Sequence, residues 1–402
     1  MTADTTVAAS VEQLVAQFDH NDVTKSSEAL RAEYAQMVSQ CPVAHIDRHG
    51  GYTVMSSYEA VRTVATAATE FVSRDGVFIP ASGLPRIPAL EYDGSEHTVW
   101  RSLMSDLLSP NAVRDLEGMV TEVVDRQIDS FAKNASADLA GEFAEPIPAI
   151  VIGRFVGLSH EESLINRELA SAAFAAIGTT KFDAAMSAFA SYTLARLHER
   201  KQSHRGDFLS ELASGNYKGI DIDDGTAVQL FVALLLGGHH STASGISGLV
   251  KHILENGSAK AAVVEDKRTL LRAIDESLRL TTPLQLFART ATTPCPVVGH
   301  DINAGQRVML NYAAANRDPE QFENPNNLDL GRRRNPHLAF GVGPHQCIGQ
   351  HLARLEMRVA LTRLLHRLPD VRLGGDVETS GLVAGNLMVI TSMPVSFTPE
   401  QN

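Results

Sequence analysis

Apolar residues recur at three- and four-residue spacing over 112–132 and again over 160–201, among Ala, Glu and Arg, and this period predicts helices on both segments. Strand-like alternation is confined to short pieces: 52–55, 296–298 with 307–310, and 387–397. The pattern predicts a fold that is mainly α with small β-sheets. No internal repeat, low-complexity tract or composition break divides the chain, so 1–402 reads as a single domain, a helix-rich core with a small β-rich subdomain. Residues 74–93, RDGVFIPASGLPRIPALEYD, are rich in Pro and Gly; a long irregular connection of this kind serves function or is disordered.

One segment breaks the amphipathic rule. Over 223–256, DDGTAVQLFVALLLGGHHSTASGISGLVKHILEN, Asp223 and Asp224 suit a helix start and Asn256-Gly257 an end. The segment is apolar around most of its circumference near 230–236, which predicts a helix buried on all sides. Gly237 and Gly238 each cost about 1 kcal/mol relative to Ala inside a helix. Either something approaches the backbone there or the helix unwinds locally.

Composition narrows the partners. The 402 residues are 44% hydrophobic and 20% charged, with 35 Lys+Arg against 47 Asp+Glu and a net charge of -12. That balance repels phosphate backbones and anionic membrane surfaces, which argues against nucleic acid. The N-terminus MTADTTVAASVEQL lacks a basic region followed by an apolar one, and the run at 230–236 is too short to span a bilayer, so a cytoplasmic protein is expected. Cys41, Cys295 and Cys347 form no C-x-x-C pair.

Chemistry concentrates at 340–349, FGVGPHQCIG, ahead of QHLARLEMRVALTRLLHRL. Gly341 and Gly343 permit backbone angles closed to other residues, so the chain can turn sharply with N–H groups directed at one point. Cys347 then falls at the start of a helix with Leu352, Leu355 and Val359 on its apolar face. The positive helix end favours thiolate over thiol. The pattern F-G-x-G-x-H-x-C-x-G resembles the haem-binding loop of the cytochrome P-450 family, in its soluble bacterial form, at every fixed position.

The resemblance runs from about Phe71 to the C-terminus. It implies haem b, with Cys347 as axial iron ligand and Phe340 beside it, held between the long central helix and the cysteine-loop helix. His97 and Arg101 in EHTVWR, Arg289 in LFART, and His345 match the family's partners for the haem propionates. Glu276 and Arg279 in DESLRL match its Glu-x-x-Arg pair, which Arg332 would complete as a structural cluster. Glu-x-x-Arg spacing also occurs at Glu28/Arg31, Glu59/Arg62 and Glu265/Arg268, and only position singles out Glu276. By position, Phe78, Ala233, Leu236, Gln285 and Val383 would face the substrate.

The chain departs from the family where the central helix carries an acid followed by threonine. Here His240 and Ser241 stand in those places, with Thr242 one residue on. Serine keeps the hydroxyl. Imidazole accepts and donates at separate nitrogens, so His240 either shuttles protons or bonds a neighbouring helix. His239 falls at a variable family position and is read as structural. The resemblance implies monooxygenation of a small, largely apolar or aromatic molecule. The altered pair also admits oxidative radical coupling of aromatic substrates such as phenol, indole or cyclic dipeptide, or direct use of peroxide. No flavin or iron–sulfur domain is attached, so electrons are expected from ferredoxin and ferredoxin reductase, with Arg332, Arg333, Arg334, Arg354 and Arg358 as candidate docking charges.

Overall fold

A computed structural model of the protein describes residues 10–83, 86–177 and 179–401. The opening residues of the N-terminal stretch discussed above lie outside them. Helices pack around one large apolar core drawn chiefly from Glu117–Asp129, Pro146–Val156, Asp224–Gly238, His240–Leu254, Lys267–Thr281 and Gln350–Arg367. A five-stranded sheet stands beside them, in the order Val43–Ile46, Tyr52–Met55, Arg307–Asn311, Leu286–Ala291, Phe71–Val72. Its one parallel pairing joins Tyr52–Met55 to Arg307–Asn311; the others are antiparallel.

The expected helices exist but are subdivided. The 112–132 segment forms Pro110–Asp115 and Glu117–Asp129, breaking at Leu116. The 160–201 segment forms His160–Ala175 and Phe182–Gln202. Ser159 starts the former with a capping box: its hydroxyl accepts from Glu162 N–H while the Glu162 carboxylate accepts from Ser159 N–H. Asn256 does not close a helix; its side chain caps the next one, Gly257–Glu265, by accepting from Ala259 N–H.

The main correction concerns the central helix. It is not one helix over 223–256 but two, Asp224–Gly238 and His240–Leu254, separated at His239 with φ -93° and ψ -81°. The two glycines do different jobs. A Cβ on Gly238 would lie 2.9 Å from Ile152 Cγ1, so this glycine lets Pro146–Val156 approach the break. A Cβ on Gly237 would meet nothing within 4 Å. Both alternatives are realised: Ile152 approaches the backbone at Gly238, and the helix breaks at the next residue.

Candidate functional site

The cysteine loop is built by its glycines. Gly341 and Gly343 adopt φ +66° and +79°, and a Cβ on Gly343 would sit 2.7 Å from the carbonyl oxygen of Ala65. The turn is closed by Cys347 N–H donating to Phe340 C=O at 2.8 Å. The helix begins at Gln350, and the backbone N–H groups of Gly349 and Gln350 point at the Cys347 sulfur. Burial among protein atoms pushes the thiol pKa up; Gly349 N–H, then Arg101 and Arg354, work against that rise. The sulfur remains reachable by a small molecule. Arg101 anchors the loop from the Gly94–Ser105 helix by donating to the Gln346 carbonyl at 2.7 Å. Phe340 carries the Arg354 guanidinium over its ring at 4.4 Å.

Behind the loop the fold gathers cationic and donor groups. The His97 and His345 rings lie 4.4 Å apart. His345 Nε2 reaches Ser73 Oγ at 3.3 Å and Asp93 at 3.4 Å, two residues the sequence did not single out. Burial, then Arg289 and His97, pulls the His345 pKa down to about 4; burial, then Arg101, lowers that of His97. Arg289, on Leu286–Ala291, is 4% exposed and bonds only its neighbour's carbonyl, that of Ala288, among the described residues. His97 Nε2 and His345 Nδ1 are buried without partners. A buried guanidinium without a carboxylate and two orphaned imidazole nitrogens are costly alone. They fit the two carboxylates of a haem whose iron takes the Cys347 thiolate.

The helix that starts at the break packs against the cysteine-loop helix, with Gly245 against Met357. Ser241 Oγ donates to Gly237 C=O at 3.2 Å, one turn back across the break. Thr242 is buried. The His240 ring stacks on Phe174 at 4.3 Å and 18°, and the His239 ring lies tilted against it at 4.0 Å and 33°. Burial, reinforced by His239, lowers the His240 pKa to about 3, so the ring is neutral at physiological pH. His239 is 1% exposed, with Nε2 3.0 Å from Glu145 Oε1. Nothing near Glu145 in sequence signals this pairing, which spans 94 positions.

The remaining expectations divide. Glu276 meets Arg279 at 2.8 Å and Arg332 at 3.1 Å, and also accepts from Asp329 N–H and Asn335. The expected structural cluster therefore assembles. Phe78 is half-buried against Phe287, with rings 6.0 Å apart; Ala233, Leu236 and Val383 are also half-buried. Gln285 is buried beside a small cavity with Ser27, Arg31, Tyr34, Thr281 and Arg317, its backbone held by Asn386 and Tyr312, and its Oε1 has no partner among the described residues. The arginine group is reduced: Arg332 is in the cluster, Arg354 pairs with Asp275 and Arg358 with Glu117. Among the described residues no helix is long and apolar enough to cross a membrane.

A reachable cysteine thiol in a glycine loop, buried cations suited to propionates and a broken apolar helix define a haem-thiolate protein. Comparison with known proteins gives the same class. A model of the cytochrome P450 family matches residues 179–369. The steroid C26-monooxygenase of Mycobacterium tuberculosis is 31% identical, the match covering 93% of this chain and 95% of that protein. Nocardicin C N-oxygenase of Nocardia uniformis subsp. tsuyamanensis is 31% identical, over 89% and 91%. The crystal structure of CYP108D1 from Novosphingobium aromaticivorans superposes with a TM-score of 0.84 at 26% identity, over 93% and 95%. The chain belongs to the cytochrome P450 family: it is a monooxygenase whose cofactor is a cysteine-ligated haem iron.

Proposed function

We propose that this single-domain enzyme inserts one oxygen atom of O2 into a small, largely apolar molecule, with electrons supplied by a separate ferredoxin and its reductase. The observation that carries this reading is the break at His239, which leaves Gly237 bare beside the Ser241 hydroxyl. Haem bound through Cys347 supplies the redox and oxygen chemistry, the thiolate donating electron density to iron. This chain's residues do the rest. His97, Arg101, Arg289 and His345 hold the propionates. Phe78, Ala233, Leu236 and Val383 form apolar walls that orient the substrate and exclude water. Ser241 holds a proton at Oγ close to Gly237, with Thr242 behind it. His240, neutral and stacked on Phe174, moves protons between its nitrogens without resting as a cation.

One observation favours oxidative coupling instead: the family's acid is replaced by a ring of low basicity. Isotopic labelling separates the two. With 18O2, a ferredoxin system and the reaction's own substrate, one labelled atom per product molecule is expected; an unlabelled, joined product would replace this reading with coupling.

A further inference from the structure

The break in the central helix has a carboxylate after all, delivered by another element. Glu145 immediately precedes the Pro146–Val156 helix and places Oε1 3.0 Å from His239 Nε2. Arg167, on His160–Ala175, lies 3.7 Å from its other oxygen, and the Ser171 hydroxyl also bonds it. Burial tends to raise its pKa, but the His239 hydrogen bond and the charges of His239 and Arg167 lower it overall. About a third of the Glu145 side chain, 35%, stays exposed. His239 itself is closed off from solvent, yet its Nδ1 has no partner. The adjacent His240 Nδ1 is likewise buried and unpartnered. A pair that served only to pin two helices would not explain two neighbouring buried nitrogens left without bonds.

We propose that Glu145 is the proton-collecting carboxylate of this enzyme and that His239 carries protons from it towards His240 and Ser241. The inference rests on the monooxygenase reading and on His240 as a relay. With His239 in its Nδ1–H tautomer, a proton taken from solvent by Glu145 enters at Nε2 while the Nδ1 proton leaves towards His240. The carboxylate is regenerated, the ring is left with its one proton on Nε2, and exchange through a water back to the Nδ1–H tautomer precedes the next transfer. Among the described residues, Glu145 and His240 are the titratable groups in contact with His239, and Arg167 lies against Glu145.

The test uses the haem-loaded enzyme. Glu145→Gln keeps the size and a side-chain amide that still bonds His239 Nε2 in either tautomer, but it cannot take up and pass on a proton. Product formed per O2 consumed should fall on the order of 10- to 100-fold, with a larger solvent deuterium effect. In Glu145→Ala, added formate should restore part of the yield where equal chloride does not. A readout independent of turnover is NMR of the 15N-labelled imidazoles in the diamagnetic ferrous CO form, where Glu145→Gln should slow solvent exchange of the His239 N–H. Unchanged coupling and exchange in Glu145→Gln, with His240→Phe uncoupled, overturns the role of Glu145 and leaves the His240 relay standing. Uncoupling in Glu145→Gln with His240→Phe unaffected supports Glu145 and removes His240 from the path.

Discussion

Glu356 lies in the cysteine-loop helix, 1% exposed, with one carboxylate oxygen lacking any partner. Burial without a cation raises its pKa well above the ordinary value, so folding favours the protonated carboxyl. The unfolded chain releases that proton near pH 4.5, so this residue's contribution to stability is intact below that value and falls as pH rises towards the folded pKa. Glu356→Gln should therefore unfold at a higher temperature than the parent at pH 7 to 8, and the gap should close as pH approaches 4, measured by thermal melts across pH. Nothing in ARLEMR announces this, because a glutamate beside Leu355 reads as the solvated flank of an amphipathic helix. Cys347 was legible for the opposite reason: its glycines and histidine sit within a few residues of it and fix the loop locally. The surroundings of Gln285 were not legible, because its backbone partners, Asn386 and Tyr312, are not revealed by sequence position.

Among elements, the broken central helix sets the properties of the distal side. A methyl group at 238 meets Ile152 at 2.9 and 3.0 Å, whereas at 237 it meets no atom within 4 Å. Gly238→Ala should destabilise the fold by about 1–3 kcal/mol through overpacking. Gly237→Ala should fold at least as well, gaining helix propensity of up to about 1 kcal/mol, while projecting into the substrate space and weakening the spectral response to substrate. Denaturant titration and optical substrate titration of the two variants check both halves. The polar cluster was readable as a disturbance in a buried helix. The position of the break was not, since either glycine or either histidine satisfies the same local pattern. The Leu286–Ala291 strand was also missed: six residues buried along nearly their whole length lack the alternation that marks a half-exposed strand.

At the scale of the molecule, the Glu276 cluster ties the Lys267–Thr281 helix to the irregular segment leading into the cysteine loop. Arg279 is 0% exposed and also donates to the carbonyls of Asn316, Pro325 and Asn327. Burial tends to raise the Glu276 pKa, but Arg279 and then Arg332 outweigh it and hold the pKa below the ordinary value. Its contribution to stability is therefore present above the unfolded value of about 4.5 and is lost as pH falls. Glu276→Gln should cost about 3–5 kcal/mol at neutral pH by leaving a buried guanidinium uncompensated, with a smaller deficit in acid, as equilibrium unfolding will measure. This cluster joins residues 56 positions apart, and four Glu-x-x-Arg pairs share the same spacing. Only a family resemblance picked the right one.

The close approach of Ile152 to Gly238, the residue next to the one that Glu145 meets, also bears on inheritance. Positions 145 and 152, at the start of and within the Pro146–Val156 helix, both hold the break at 238 and 239, so changes there are coupled. A descendant that acquires alanine at 238 needs a smaller residue at 152, and Ile152→Ala should restore to Gly238→Ala part of what the single change removes. Laboratory evolution of this enzyme will accordingly find its accessible substitutions at the break in pairs, where single-site libraries record only losses.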